Sequence, residues 1–321
     1  MMMNMRNTPA HHAHSGYLVE GRGSPLVLLH SSMSSKAQWD SLIELLAERH
    51  RIIAIDLYGY GDVPMPLNAG AHTLMTEVTR VRAILQRELG PGEPFHLAGH
   101  SFGGALALRL AHLEPSRVRS LALFEPSAFH LLPEDSDAMA AVRTVAQQVK
   151  EGLGDGSTLA AAGSFVDFWN GPGAFAAYPA ARQAQFAAQL RKVDLDLDAL
   201  INDACTARDY ANIACPILLL LGRSSLACTR DIAAHLVGHL PDCLIGETSG
   251  GHMAPVTHRT SVNLKIAGFL NLIDNNVSYM RVHTAQVHEV HPRSVARHMG
   301  AELARRAREG NANWRARILA G

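Results

Sequence analysis

The chain lacks a long apolar run and a surplus of either charge. No uninterrupted hydrophobic stretch reaches the roughly 18 residues that a membrane-spanning helix needs, and the amino-terminal segment has no apolar core of the kind that a secretory signal requires. Its 29 basic side chains balance 29 acidic ones, which argues against a dedicated nucleic-acid binder. The sequence therefore predicts a cytoplasmic protein with neither a membrane nor a nucleic acid as its partner.

Cysteine is also scarce, with four residues and no C-x-x-C pair among Cys205, Cys215, Cys228 and Cys243. This spacing excludes a dense disulfide framework and a zinc knuckle. Histidine is abundant, but its two clusters, at 11–14 and 283–291, have no carboxylate or thiol partners at ligand spacing. We expect reduced thiols, no metal site and no organic cofactor.

What the chain does have is a regular alternation of short apolar runs with segments of helical periodicity. Strands that are apolar throughout and separated by helices imply right-handed crossovers and a parallel sheet covered on both faces. The predicted fold class is therefore α/β, a mostly parallel sheet with helices on both faces. The predicted strands lie at 26–29, 52–57, 95–98, 121–124, 216–221 and 244–245.

The alternation stops between residues 127 and 211. This stretch is rich in alanine and helical in pattern, and glycines at 152–156 and 170–173 interrupt it. We interpret it as an inserted helical cap, which leaves residues 15–126 and 212–275 as the α/β core.

The last segment, residues 276–321, differs in composition, with eight arginines against three glutamates. Apolar residues spaced four apart predict a basic helical extension. Such a helix would pack on the protein's own surface or on a second subunit, which leaves a homodimer open.

The sequence Gly99-His100-Ser101-Phe102-Gly103 fits the pattern G-x-S-x-G. It directly follows a predicted strand and directly opens a predicted helix, as a nucleophile elbow requires. Small flanking residues let Ser101 adopt a strained backbone with its hydroxyl projecting, and the helix start offers free N–H groups to a developing oxyanion. Ser101 is the candidate nucleophile.

A serine hydroxyl needs a general base to become an effective nucleophile. The turn Gly250-Gly251-His252-Met253-Ala254-Pro255 comes after the last predicted strand and precedes the final helix. From this position His252 would reach the carboxyl ends of the strands, and it is the candidate base.

With these motifs, residues 25–272 resemble the α/β-hydrolase superfamily, and specifically its cap-bearing serine hydrolases of the carboxylesterase type. Further matches are Leu28-Leu29-His30 before a serine-rich loop and the run Asp56-Leu57-Tyr58-Gly59-Tyr60-Gly61. The resemblance implies an oxyanion hole formed by the backbone N–H groups of Ser32 and Phe102. The family usually has His-Gly where this chain has His30-Ser31, and assistance from the hydroxyls of Ser31 or Ser32 stays open.

The triad acid is missing from its usual place in this superfamily, where this chain has Ser225. Glu125, directly after the preceding strand, resembles the glutamate position that some haloalkane dehalogenases use. A carboxylate there would otherwise face an apolar neighbourhood, and its burial is costly unless it has a partner. We therefore predict Glu125 as the acid; Asp231 and a Ser-His dyad without an acid are the alternatives.

Serine at the elbow indicates acyl transfer, because the dehalogenases and epoxide hydrolases of this fold use aspartate there. The predicted activity is the hydrolysis of small to medium apolar carboxylic esters, with a small-molecule ester as partner. Alternatives on the same triad are a carbon–carbon bond hydrolase, a lactonase and a cofactor-free haloperoxidase; a further one is a non-catalytic, ligand-binding pseudo-hydrolase. The predicted pocket residues are His30, Ser31, Phe129, Phe168, Trp169 and Met253.

Overall fold

The computed structural model describes residues 11–14 and 16–275, and in this part of the chain eight strands form a mixed sheet. In spatial order the strands are β1-β2-β4-β3-β5-β6-β7-β8; the pairs β1–β2 and β2–β4 are antiparallel and all others are parallel. The strands are β1 His11–His14, β2 Tyr17–Gly21, β3 Ser24–Leu29, β4 His50–Ile55, β5 Phe95–His100, β6 Val118–Phe124, β7 Ile217–Gly222 and β8 Cys243–Thr248.

Helices cover both faces of the sheet, which confirms the predicted α/β class. They are α1 Asp40–Leu46, α2 Leu74–Glu88, α3 Phe102–Leu113, α4 Asp137–Asp155, α5 Thr158–Asn170, α6 Ala180–Ile201, α7 Ala227–Val237, α8 Ala254–Thr257 and α9 Arg259–Asp274. No described helix is both long and apolar enough to cross a bilayer. The extension predicted for residues 276–321 lies outside the described residues.

Alternate residues of the central strands supply two separate hydrophobic layers. In β5, Leu97 belongs to the layer beneath α2 and α3, whereas Ala98 faces the layer that contains Trp39 and α9. In β7, Leu219 and Leu220 divide in the same way. Both faces of these strands are buried, which explains why the strands are apolar throughout rather than alternating.

The antiparallel pair β1–β2 was not predicted from the sequence. Four of the five residues of β2, Tyr17-Leu18-Val19-Glu20-Gly21, are uncharged, and the strand is too short to establish a period. Its antiparallel partner β4 pairs with it on one side and with β3 on the other. The hairpin extends the sheet away from the strands that carry the candidate site.

Three helices, α4 to α6, lie between β6 and β7, within the predicted cap segment. We call residues 127–211 the insertion; its treatment as a separate domain stays a prediction. Its helix α6 packs against α2 and α3 of the core.

Both breaks predicted in the insertion are present, and the first lies at the end of its predicted range, 152–156. Helix α4 continues through Gly152 to Asp155 and ends only at Gly156, which has φ 83°. At Gly152 the Cβ of Ala161 in α5 lies so close that an added side chain would overlap it. Gly152 therefore permits two helices to approach rather than ending one. The second break does separate α5 from α6, at Gly171.

Candidate active site

The candidate nucleophile lies where β5 turns directly into α3. Ser101 has φ 55° and ψ −118°, a backbone conformation that is strained for a residue with a side chain. The turn is tight: a Cβ on Gly99 would lie 2.9 Å from the Cα of Gly104, and one on Gly103 would lie 2.6 Å from the carbonyl carbon of Leu29. Glycine is needed on both sides, and the turn holds the serine hydroxyl at the carboxyl edge of the sheet.

The turn after β8 brings His252 to this hydroxyl. Its Nε2 lies 2.8 Å from Ser101 Oγ, although the two residues are 151 positions apart. The backbone of the turn is held by His100, whose Nε2–H donates to the carbonyl oxygen of His252 over 2.8 Å. Burial and the neighbouring imidazole of His252 hold the pKa of His100 well below its usual value, so it is a neutral donor.

Glu125 completes the arrangement from the end of β6. Its Oε2 accepts a hydrogen bond of 2.8 Å from Nδ1 of His252, while Oε1 accepts from the N–H of Gly222, at 2.7 Å, and from the hydroxyl of Ser225. Burial alone would raise the pKa of Glu125, but these bonds outweigh it and hold the pKa below its usual value. The carboxylate is therefore ionised and fixes the His252 tautomer with a bare Nε2 facing Ser101.

The other acid considered, Asp231, lies on α7, where burial raises its pKa and the nearby titratable side chain is His235. Ser225, at the usual aspartate position of the superfamily, supports the carboxylate of Glu125 instead. Arg230 holds this turn by donating to the carbonyl oxygens of Arg223 and Ser225, at 2.8 and 3.3 Å. The turn thus serves as a scaffold for an acid supplied by the neighbouring strand.

The loop after β3 carries Ser32, and α3 begins at Phe102, the two residues predicted to supply the oxyanion donors. The N–H of Phe102 has no acceptor within the helix because it lies in the first turn. The hydroxyls of Ser31 and Ser32 are engaged elsewhere: Ser31 Oγ donates to Gln38 Oε1 at 2.9 Å, and Ser32 Oγ donates to Asp196 Oδ2 at 2.6 Å. The backbone N–H of Ser32 therefore remains the candidate oxyanion donor of this loop, since the N–H of Ser31 donates to Gln38 Oε1 at 3.2 Å.

His30, predicted as a pocket residue, holds the loop rather than lining a pocket. It is fully buried, with Nδ1–H donating to the carbonyl oxygen of Ser31 at 2.7 Å and Nε2 accepting from the N–H of Leu57 at 3.0 Å. Burial lowers its pKa to about 4, which keeps the ring neutral. The loop then passes through Met33, whose φ of 56° is strained.

A second serine contacts the candidate nucleophile. Ser127 Oγ lies 3.1 Å from Ser101 Oγ, and the Ser127 N–H donates to the carbonyl oxygen of Ser101 over 3.1 Å. Ser127 is buried at the start of the insertion. No sequence motif marks it; its position two residues after Glu125 was the available signal.

A cavity of about 150 Å³ opens onto the Ser101 and His252 side chains. Four predicted pocket residues line it, namely Ser31, Phe129, Trp169 and Met253. Phe168 does not line the cavity; its ring packs edge-on against Trp169, with a centroid separation of 5.0 Å. Lining residues that the sequence analysis missed are mostly aliphatic or aromatic and come from the insertion: Phe165, Val166, Phe186, Val193, Leu197 and Leu200.

The indole of Trp169 lies directly on the candidate base. Its ring stacks on the imidazole of His252 with a centroid separation of 3.7 Å and an interplanar angle of 19°. An aromatic face attracts a cation, so this contact stabilises His252 in its imidazolium form. The insertion thus contributes both the wall of the cavity and a contact to the base.

Two further groups of described residues have the spacing of metal ligands, His50–His96–Asp274 and His72–Glu77–Asp196. In each group a neighbouring cationic side chain already contacts the carboxylates. Arg119 lies 3.3 Å from Asp274, and Lys192 lies 3.1 Å from Glu77 and directly against Asp196. A divalent ion would have to compete with these charges, so we assign no metal to either group.

Most of the described chain matches a known protein family. A sequence profile of the alpha/beta hydrolase family covers residues 26–263. A fluoroacetate dehalogenase of Burkholderia sp is 34% identical over 127 residues, 39% of this chain and 41% of the relative. A pimeloyl-(acyl-carrier protein) methyl ester esterase of Aeromonas hydrophila is 38% identical over 103 residues, 32% and 37% of the two chains. The chain thus spans about two fifths of the length of these relatives.

Solved structures agree in fold. A carboxylesterase structure from Nitrososphaera gargenis superposes with a TM-score of 0.65 at 18% identity, covering 86% of this chain and 99% of the other. An esterase from Exiguobacterium antarcticum gives a TM-score of 0.63, also at 18% identity, over 82% and 99% of the two chains. At this level of identity the likeness concerns the fold alone.

Proposed function

This chain belongs to the alpha/beta hydrolase family, and we propose that it is a serine hydrolase of the carboxylesterase type. The observation that carries the proposal is the continuous set of hydrogen bonds from Ser101 Oγ through both ring nitrogens of His252 to Glu125, each 2.8 Å long. An acid, a base and a hydroxyl at these distances form the arrangement that activates serine for attack on an acyl carbon.

In the proposed reaction, Ser101 Oγ attacks the ester carbonyl carbon while its proton passes to Nε2 of His252. The carbonyl oxygen becomes an oxyanion held by the N–H groups of Ser32 and Phe102, and Glu125 stabilises the imidazolium. His252 then protonates the leaving alcohol as the bond between the acyl carbon and the alcohol oxygen breaks. A water molecule, deprotonated by His252, then attacks the acyl carbon of the acyl-enzyme. As the bond between the acyl carbon and Ser101 Oγ breaks, His252 returns the proton to Oγ, which releases the acid and restores the free serine.

The cavity favours small to medium apolar esters. Its volume of about 150 Å³ and its aliphatic and aromatic lining suit a short apolar group. Asp196 contributes a carboxylate to the wall. Arg182 contributes a guanidinium to the same wall, and Lys192 is paired with Asp196. The lining therefore has no surplus of negative charge, and this balance supports neutral substrates.

The test is turnover of p-nitrophenyl acetate, butyrate, octanoate and laurate by the wild type and by Ser101→Ala. We expect the shorter esters to react best and the variant to lose turnover. Unchanged activity in the variant would remove Ser101 from the mechanism.

The same triad serves other reactions, so the substrate panel includes a lactone, a vinylogous β-diketone for carbon–carbon cleavage, and monochlorodimedone for haloperoxidation. A clear preference for one of these over the esters would reassign the activity. A pseudo-hydrolase would turn over none of them and would leave Ser101 unmodified by a fluorophosphonate.

We also propose a reducing, cytoplasmic setting. All four cysteines are unpaired, as is usual where thiols are kept reduced. Fractionation of cells that express the protein at its natural level tests this, and recovery outside the cytoplasmic fraction would contradict it.

A further inference from the structure

A carboxylate of the insertion is bonded to the loop of the oxyanion hole. Asp196 of α6 accepts a hydrogen bond of 2.6 Å from the hydroxyl of Ser32, a residue 164 positions earlier in the chain. Asp196 is only 1% exposed. A short, buried, charge-assisted bond of this kind restricts the rotamer of the serine and the path of its backbone.

This carboxylate is fixed by its other neighbours. The hydroxyl of Tyr60 donates to the same Oδ2 at 2.6 Å, and the ammonium of Lys192, one helical turn earlier, contacts Oδ1. Lys192 in turn lies 3.1 Å from Glu77 of α2. Because a buried charge is costly without partners, this pairing holds both the charge and the position of Asp196.

The same ion pair reaches the second oxyanion residue. The Lys192 ammonium lies 4.6 Å from the centre of the Phe102 ring, and Asp196 bonds to Ser32. One turn of α6 therefore touches both residues whose backbone N–H groups are to bind the oxyanion. The adjacent strained residue, Met33, needs such restraint, since a strained backbone persists only where its surroundings hold it.

We propose that Asp196 is a positioning residue that holds the Ser32 N–H in the oxyanion hole. Catalysis then depends on the position of α6 against the core. The proposal rests on the proposed function. It predicts that a displacement of α6 from the core disables the oxyanion hole even while the Ser101–His252–Glu125 contacts persist.

The test is a double-mutant cycle of Ser32→Ala, Asp196→Ala and the combined variant. We expect each single variant to lose about 10- to 100-fold in kcat with KM changed less than about threefold, because the oxyanion is present only in the transition state. The combined variant should be no slower than the slower single one, since both substitutions remove the same bond. Losses that multiply would overturn the proposal.

A second readout separates positioning from general damage to the fold. A trifluoromethyl ketone forms a tetrahedral adduct on Ser101 and needs the oxyanion donors, so its inhibition constant should weaken by the same factor as kcat. Ser32→Ala leaves the Lys192–Asp196 pair intact and supplies this test even if Asp196→Ala is unstable. Unchanged inhibition in a slowed variant would contradict the proposal.

The matched control is Asp198→Ala, two residues along α6. Asp198 pairs with Lys150 at the surface, at 2.7 Å, with both side chains more than 40% exposed. This variant should keep wild-type kcat and inhibition, and a loss equal to that of Asp196→Ala would contradict a specific role of Asp196. If the wild type itself hydrolyses no ester and resists the ketone, the proposed function fails. If the wild type is active and Ser32→Ala and Asp196→Ala equal it in kcat and in inhibition, this inference alone fails.

Discussion

The described residues include two hydrogen-bonded sets of a serine, a histidine and a carboxylate, one at each edge of the sheet. At the carboxyl edge, Ser101, His252 and Glu125 are joined by bonds of 2.8 and 2.8 Å. At the opposite edge, the Ser120 hydroxyl lies 2.7 Å from Nδ1 of His96, and Nε2 of His96 lies 3.1 Å from Asp274. By distance alone the two sets are nearly equivalent.

Their backbones and surroundings differ. Ser120 lies inside strand β6 and is fully buried, and Arg119 contacts the carboxylate of Asp274 at 3.3 Å. Ser101 lies in a strained turn, at the start of a helix and at the wall of a cavity. Among the described non-glycine residues, positive φ occurs at Met33, Ser101 and Glu125. The strained turn, the cavity and the helix start beside Ser101 distinguish the two sets, rather than the series of hydrogen bonds.

The largest effect expected from this comparison is the loss of the nucleophile. Ser101→Ala should lower kcat by about four or more orders of magnitude, because no hydroxyl remains to form the acyl-enzyme. Ser120→Ala should keep kcat within about a factor of two, as expected for a residue outside the reaction. Steady-state ester hydrolysis by both purified variants measures this, and a comparable loss in Ser120→Ala would break the distinction.

The next largest difference in kcat is expected between variants of the two acids, Glu125 and Asp274. Glu125→Gln should lose about two or more orders of magnitude in kcat, since the imidazolium loses its charged partner. Asp274→Asn, its counterpart at the other edge, should retain kcat in the same steady-state assay.

A compensating change sharpens this prediction. Ser225→Asp, introduced into the Glu125→Gln variant, should restore part of the loss because that position already contacts the acid. Near-wild-type kcat in Glu125→Gln would instead favour Asp231 or a dyad.

The opposite edge should affect stability rather than turnover. Burial lowers the pKa of His96 to about 4, against about 6.5 in the unfolded chain. Between these values the unfolded state binds a proton that the folded state excludes, so the free energy of unfolding falls as the pH falls from 6.5 to 4. For this group the fall is about 3 kcal/mol.

Urea denaturation of the wild type and of His96→Gln, at neutral pH and at a pH just above the folded-state pKa of His96, measures this contribution. The drop in the free energy of unfolding should be smaller in the variant. Equal drops would show that His96 does not carry the acid sensitivity.

The smallest effect is expected for Ser127, which contacts the nucleophile but does not exchange its proton with the base. Ser127→Ala should lower kcat less than about tenfold, the loss expected for one neutral hydrogen bond of about 1 kcal/mol. Steady-state hydrolysis of the same esters measures it. Loss of about a hundredfold or more in kcat would place Ser127 in the proton transfer itself.

Features that depend on local pattern were predictable from the sequence. Ser101 and Glu125 directly succeed apolar strands, and parallel strands end at one edge, so their proximity could be expected before any coordinates. His252 could be predicted as the candidate base from its position in a glycine turn after the last strand. The predicted sheet class is confirmed for the same reason.

Contacts between distant side chains could not be read in this way. The bond from Asp196 to Ser32, the stacking of Trp169 on His252 and the support of Glu125 by Ser225 depend on how the insertion and the turns pack. The break predicted at 152–156 is present, but the sequence did not show which glycine makes it: Gly152 lies within α4 and admits a neighbouring helix, whereas Gly156 ends α4.

The most direct measurement is the site and stoichiometry of fluorophosphonate labelling, read by intact-mass and peptide mass spectrometry. The geometry predicts one adduct per chain, on the peptide that contains Ser101, with no adduct on Ser120 and none on the Ser101→Ala variant. A wild-type chain that stays unlabelled, or an adduct that persists in Ser101→Ala, would contradict the assignment of the nucleophile.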